Sequence, residues 1–275
     1  MAKELAVINK FQLMTGLEDI DPELLEELED ELGDLDEERG IACRQIKIPS
    51  GGGKAFEIES EDPEDPDVEK EIEAVIIFTH RANAYWENAY GAGDNSEAST
   101  GTAPNCSSMD AKTGVDNDTG EIRNCDTCPF NQYGADGSGK PCKNIRRVYM
   151  MINGKPGVYL LSVPPTSIKD VNKQLARIMG QNKIPYSRMV MKFKLDAATN
   201  KAGIKYSKVS VERVGMLPAE LCTKTAQMRK ELKEKYKEVA LTSADYNQTA
   251  PSAPNNDEPP LDAGFVACED ADMPY

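Results

Sequence analysis

An α+β fold, mainly β, with one insertion that no apolar core can order is what this 275-residue sequence predicts. Three observations lead there. Paired runs in the second half alternate apolar and polar residues, as half-buried strands do. The segment Gly91 to Cys142 is rich in Gly, Asn, Asp, Ser and Thr and holds four of the seven cysteines. Charge is segregated, so the formal net charge of −15 hides a cationic body.

Asp21 to Leu32 predicts a short helix: Asp21 is placed to cap it, Pro22 suits the first helical position, and Leu24, Leu25, Leu28 and Leu32 form one apolar stripe. Ile41 to Pro49 alternates as a strand and runs into the flexible Ser50-Gly51-Gly52-Gly53. Glu61 to Asp67, acidic and broken by two prolines, predicts an exposed loop. Ile72 to Thr79 predicts a buried strand, with Tyr85, Trp86 and Tyr90 gathered just beyond it.

Gly91 to Cys142 is too long to be a structureless loop inside a compact domain. Regular structure resumes at Arg147–Ile152 and Val158–Ser162, joined by Asn153-Gly154-Lys155-Pro156-Gly157, a hairpin signal. Ser167 with Asp170 three residues on predicts a helix cap; Ile168, Val171, Leu175 and Ile178 supply the apolar face, and Gly180 the stop. Arg188–Leu195 and Ile204–Val214 predict a second hairpin, joined by a polar connection from Asp196 to Gly203. Leu217 to Ala240 predicts a long helix opened by Pro218. After Asp245 the composition is that of a disordered linker.

Charge divides the chain in the same way. Leu17 to Glu38 holds 13 acids and no base, and Glu57 to Glu73 holds 10 acids and one Lys. From Lys140 to Ala240 there are 22 Lys or Arg against 7 acids, and from Leu241 onward 7 acids and no base. A cationic body between anionic regions is the electrostatic footprint of a nucleic-acid binder. The organisation that follows is an acidic helical segment over 1–40, a binding domain over 41–240 with an insertion at about 91–145, and a disordered linker with an acidic tip over 241–275. No run of about 18 apolar residues and no basic-then-apolar leader is present, which predicts a cytoplasmic protein with no membrane partner.

Cys106-x18-Cys125-x2-Cys128-x13-Cys142 has the spacing of a zinc site. The Cys125/Cys128 pair predicts a tight knuckle, and a closed set of four thiolates leaves no open position for water. One structural Zn²⁺ in a zinc-ribbon-like module is therefore expected, in place of the missing core. Buried or unpaired thiols are the plainer alternative. Two other motifs fail on chemistry. Gly134 to Lys140 imitates a phosphate-binding loop, but Pro141 stands where a Mg²⁺-binding hydroxyl is needed and no strand precedes it. A zinc deaminase needs a His-x-Glu beside its Cys-x-x-Cys, and the one histidine, His80, is followed by Arg81-Ala82.

Arg188, Lys192 and Lys194 alternate with Met189, Met191, Phe193 and Leu195, and Lys205 and Lys208 flank Tyr206 on the return strand. One apolar and one cationic sheet face are predicted. Lys140, Lys143, Arg146 and Arg147 lead into Tyr149 beside the cysteines. Cations that track phosphates and rings that stack on bases are the apparatus for single strands. Trp86, Tyr90, Phe130, Tyr133, Tyr149 and Tyr206 are the candidate rings.

The last seven residues, Glu269-Asp270-Ala271-Asp272-Met273-Pro274-Tyr275, predict an acidic hook with an aromatic tip, suited to a small basic pocket on a partner; an ordinary frayed acidic terminus is the plainer alternative.

Cys125-x-x-Cys128-Pro129-x-Asn131-x-x-Gly134, Gly139-Lys140-x-Cys142-Lys143, Arg146-Arg147-Val148-Tyr149 and Leu161-Ser162-Val163-Pro164-Pro165-Thr166-Ser167 together resemble bacteriophage single-stranded-DNA-binding proteins, over roughly Cys106 to Val214. The tip looks like that of bacterial single-stranded-DNA-binding proteins, with Met273, Pro274 and Tyr275 where those end in an aliphatic residue, Pro and Phe. The resemblance implies an OB-type β-barrel core and a non-enzymatic, sequence-tolerant coat on single-stranded DNA in replication, recombination and repair. It also implies recruitment of partner proteins through Asp270, Asp272, Met273, Pro274 and Tyr275. The competing expectation is a zinc-ribbon transcription or replication accessory factor that contacts a polymerase. An enzyme is not expected, because the basic body lacks a His cluster or an Asp/Glu set on its strands.

Overall fold

The computed structural model describes residues 6–15, 43–60, 65–87, 103–134, 139–200 and 205–237, with isolated positions between and beyond them. Of the acidic helix expected over Asp21–Leu32 only Asp21 and Leu24 are described, Leu24 as helical and exposed; the tail from 242 onward and Tyr90 lie outside the described residues. The strands are β1 (Cys43–Lys47), β2 (Phe56–Ile58), β3 (Asp67–Glu69), β4 (Glu71–Tyr85), β5 (Cys106–Ser108), β6 (Thr113–Asp116), β7 (Ile122–Asn124), β8 (Lys143–Ile152), β9 (Val158–Val163), β10 (Met189–Thr199) and β11 (Lys205–Met216). The helices are α1 (Pro165–Asn182) and α2 (Ala219–Lys235). The α+β, mainly β expectation holds. Among the described residues no helix is long and apolar enough to cross a membrane.

One sheet runs β3-β2-β1-β9-β8-β4, and β4 then branches. Its first residues pair with β10, which pairs with β11, while Asn83–Tyr85 pair with β5 and so carry β6 and β7. β1 and β9 are parallel; the other ladders are antiparallel. The sheet does not close into a barrel. An isolated Ser50–Tyr206 bridge, with the Ser207 hydroxyl donating to the Pro49 and Gly53 carbonyls at 2.6 and 2.8 Å, links its two sides.

α1 covers part of the gap. Val171, Leu175 and Ile178 enter a core with Ile76, Val148, Leu161, Phe193 and Val209. The exposed edge of β11 is then met by side chains of α1: Ser167 Oγ accepts from the Val209 amide at 3.0 Å, and Gln174 Oε1 from the Val211 amide at 2.8 Å. Covering a strand edge in this way blocks pairing with other chains. This revises the Ser167 cap. The helix starts at Pro165 with Pro164 as its N-cap, and Ser167 is fully buried one turn inside. Lys183, in the left-handed conformation at φ 57°, ends it instead of Gly180.

The other sheet face carries a second core of Val75, Ile77, Tyr149, Met151, Leu160 and Val190 under Leu232 of α2. Phe11 and Leu13 of the N-terminal segment join it. That segment is pinned by Ile8 N–H to Met216 O (2.8 Å), Met216 N–H to Ala6 O (2.9 Å) and Gly154 N–H to Gln12 O (3.0 Å).

β4 is buried on both faces and contains a bulge: Ile76 opposes Met150, yet Phe78 opposes Tyr149. The extra residue, Ile77, reverses the alternation. Phe78 therefore joins the α2 side, and Thr79, Arg81, Asn83 and Tyr85 share the face toward α1.

Candidate nucleic-acid interface

Residues 86–142 are carried between β4 and β8, which pair directly over ten positions. Within this insertion, Asp110 and Asp116 fold the chain by accepting from backbone amides one turn on: Asp110 from Lys112 and Thr113 (both 2.8 Å), Asp116 from Thr119 (3.0 Å). Those turns let β5, β6 and β7 meander without an apolar core. Cys106 lies on β5, Cys125 and Cys128 in the turn after β7, and Cys142 just before β8. All four line one small cavity with Asn83, Gly114, Arg123 and Asn131. Asn131 ties the knuckle to the body. Its amide nitrogen donates to Cys125 O at 2.7 Å, and its Oδ1 accepts from Asn144 at 3.0 Å and Lys140 at 3.3 Å.

The cavity wall leaves no slack. A Cβ on Gly114 would stand 3.2 Å from Cys106 Sγ and 3.5 Å from Cys125 Sγ. Burial, then the neighbouring thiols, pushes Cys142 up to about 12; burial raises Cys106 as well, opposed by the Arg123 guanidinium. As the side chains stand, no group of three or more His, Cys, Asp or Glu among the described residues is disposed to hold a metal ion. The donor set itself, four thiols around one cavity kept open by a glycine, suits a soft tetrahedral ion.

From the cysteines a polar ribbon runs along β4 and β8 toward α1. Tyr85 stacks on Phe130, with centroids 4.4 Å apart and planes 18° apart. Asn144 Nδ2 donates to Asn83 Oδ1 at 2.7 Å. Arg81 opposes Arg146, whose Nη1 donates to Thr79 Oγ1 at 3.0 Å. At the far side of the knuckle Tyr133 is 74% exposed, with Lys140 Nζ 5.1 Å from its ring centre. Tyr133 and Arg81 are exposed, Tyr85, Phe130, Asn144 and Arg146 half-buried, and Asn83 buried; rings and guanidiniums on one surface are what extended nucleic acid requires.

The expected residues separate on this surface. Phe130, Tyr133 and Lys140 belong to it, and Lys143 opens β8 beside it, half-buried. Trp86 is half-buried directly after β4. Tyr149, expected to offer a ring to a base, is a correction: it is fully buried between sheet and α2, as is Arg147 at 1% exposure. Their alternation puts them on the opposite face from Arg146.

The second hairpin does set its lysines on the face opposite Met191, Phe193 and Leu195, as expected, but that face is compensated by acids. Lys192 bonds Glu71 at 2.8 Å and Glu73 at 3.2 Å; Lys194 bonds Glu212 at 2.7 Å and Glu71 at 3.3 Å; Lys208 bonds Asp170 at 2.7 Å. These bonds hold the three lysines above their ordinary pKa and Glu71 below its own. The face is compensated because β4, an acidic edge from far back in the chain, pairs with β10. Arg188 and Lys205 remain exposed, and Tyr206 is half-buried beside the Ser50 bridge. Asp270, Asp272, Met273, Pro274 and Tyr275 lie outside the described residues.

Arg81, Asn83 and Tyr85 were not expected in the interface. The signal that could have found them is their i, i+2, i+4 spacing beyond an apolar strand. Also missed were Lys169, Lys173 and Arg177, exposed at four-residue steps along α1. No family model matches the chain, and no curated protein or solved structure shows significant similarity to it.

Proposed function

We propose that this chain binds single-stranded DNA without strong sequence preference, as a non-enzymatic coat in phage replication, recombination or repair. The observation that carries the reading is the ribbon itself: Tyr133 with Lys140, then the Tyr85–Phe130 stack, then Arg81 and Arg146, on one surface where no ion pair among the described residues engages these cations. One Zn²⁺ held by Cys106, Cys125, Cys128 and Cys142 orders the knuckle that presents Phe130 and Tyr133. Binding energy of that kind is folding energy for a module without a core. The strand order, with α1 seated against the open side, supports an OB-type core. The acidic tip, Asp270 to Tyr275, recruits replication and recombination proteins.

The test is a salt-titrated comparison of a thymidine oligonucleotide with duplex DNA, with metal measured on the same sample. A preference for the single strand with a steep salt slope is expected. Tyr133→Ala should weaken it by about 1–3 kcal/mol, the worth of one stacked base. Equal binding to both forms, or none, overturns the reading. Deleting 262–275 should abolish partner capture and tighten oligonucleotide binding.

One observation favours a second reading, an accessory factor whose module contacts a polymerase. Val115 and Ile122 oppose each other across β6 and β7 and are 41% and 72% exposed, among Asp118, Glu121 and Asp126. Such an acidic, apolar tip suits protein better than phosphate. Loss of polymerase binding in Ile122→Ser, with no single-strand preference in the wild type, would favour it.

A further inference from the structure

We propose that Arg81 and Arg146, flanked by Tyr186 and Arg229, form a seat for one phosphate group, supplied by a nucleic-acid backbone or by free phosphate. For the backbone source the seat rests on the proposed function. For free phosphate it does not.

The register is the first ground. Arg81 and Arg146 are directly opposed on β4 and β8, where like charges destabilise a sheet. The cross-strand lysines of the second hairpin, by contrast, face acids. The ion pairs run Lys192–Glu71, Lys194–Glu212, Lys208–Asp170 and Arg123–Asp116, and among the described residues none reaches Arg81 or Arg146. The sheet pairs Lys192, Lys194 and Lys208 with acids and, among the described residues, leaves two facing guanidiniums without an ion pair.

Pre-orientation is the second ground. The Thr79 hydroxyl donates to Arg147 O at 2.8 Å, so its lone pairs turn to Arg146 Nη1 and fix that guanidinium. Arg146 Nε is buried and has no partner among the described residues. A planar guanidinium held at one corner is pre-oriented for contact with an oxyanion. Burial, then the Arg81 charge, holds Arg146 below the usual arginine range. An anion between them would relieve both.

The neighbours supply the third. The 3-10 turn Tyr186–Arg188 packs against β4 and α2, and the Tyr186 oxygen is close enough to act on the Arg146 charge. Arg229 donates to that oxygen at 3.2 Å and lies 5.5 Å from the ring centre. A third cation thus stands behind a hydroxyl at the edge of the pair. On the same face, four residues or about 13 Å further along β4, lies the Tyr85–Phe130 stack. A strand whose phosphate sits in the fork runs toward rings that can hold its bases.

Two probes test the seat, inorganic phosphate by ³¹P line broadening and a thymidine oligonucleotide by fluorescence anisotropy across salt. The proteins are wild type, Arg81→Ala at an exposed position, and Arg146→Lys, which keeps the charge and removes the fork; thermal melts check that each is folded. Wild type should broaden the phosphate signal saturably, and both variants should lose the effect. If the oligonucleotide binds, Arg81→Ala should weaken it about 10-fold at low salt and lower the log–log salt slope by about 0.7, one phosphate contact. Competition between the probes assigns the seat to the backbone. Phosphate binding without oligonucleotide binding keeps the seat, assigns it to free phosphate and rejects the single-strand reading. An unchanged salt slope in both variants overturns the seat and leaves single-strand binding standing. If no oligonucleotide binds, absence of line broadening overturns both.

Discussion

His80 should make the fold acid-sensitive. It is the chain's one histidine, set in β4 among Tyr236 (ring centroids 4.6 Å), Phe78 (5.7 Å) and Tyr149 (5.9 Å). Its Nδ1 lies 2.9 Å from Met109 O and 3.0 Å from Arg81 O, while Nε2 is buried with no partner among the described residues. Burial lowers its pKa to about 4, Arg147 and Arg146 push the same way, and the two carbonyls oppose them. The folded state therefore prefers the neutral ring. The stability this gives is complete above the unfolded value of about 6.5 and is lost as pH falls toward 4. Linkage puts the loss at about 2 kcal/mol by pH 5 and about 3 kcal/mol by pH 4. Urea unfolding at half-unit steps from pH 7 to 4, on wild type and His80→Phe, isolates it, because the carboxylates titrate in both. Wild type should lose about 3 kcal/mol more than the variant over that range. Parallel stability curves would refute the reasoning.

Gly215→Ala places a Cβ 2.6 Å from Ala6 O and 2.7 Å from the Ile8 side chain, so the N-terminal segment must shift. A loss of about 1–3 kcal/mol is expected, the usual cost of overpacking, with faster hydrogen exchange at the Ile8 and Met216 amides. Gly114→Val fills the space beside Cys106 and Cys125 and should lower bound zinc well below the wild-type content, measured by atomic absorption. Equal metal content would show that the thiols do not meet at this cavity. Lys192→Gln with Lys194→Gln should cost under about 1 kcal/mol, as exposed ion pairs do, and leave the oligonucleotide salt slope unchanged. A lower slope would return the second hairpin to the interface.

Periodicity carried most of the fold. The hairpins and the long helix were legible because alternation and turn chemistry are local, and the four cysteines marked the insertion, where the Asp110 and Asp116 turns fold the meander without an apolar core. What escaped was non-local. The bulge at Ile77 leaves no mark in a run that is apolar on both faces, yet it decides that Arg81 and Tyr85 lie on the same face as Arg146. Tyr149 follows two arginines and so read as part of a basic patch, but its parity on β8 sends it into the core under α2. Met189 to Leu195 gave the alternation correctly and the electrostatics wrongly, since Glu71 and Glu73 reach Lys192 only through strand pairing. The N-terminal segment has too little pattern to read, and its place depends on Met216 and Gly154.

Counting bases along the chain located the cationic body but could not say which face of it works. Pairing does. A lysine already bonded to two carboxylates must give them up before it meets a phosphate, and an exposed pair so displaced returns little net energy. Arg81 and Arg146 have no such partners to lose among the described residues, and their mutual repulsion falls as soon as an anion arrives. The hairpin with more lysines is thus the weaker candidate. The ribbon with two arginines, two asparagines and a ring stack is the stronger one, because its polar groups are oriented before any ligand arrives. The bulge in β4 and the knuckle at Cys125 serve the same end: one turns Arg81 to the face of Arg146, the other delivers Phe130 to Tyr85.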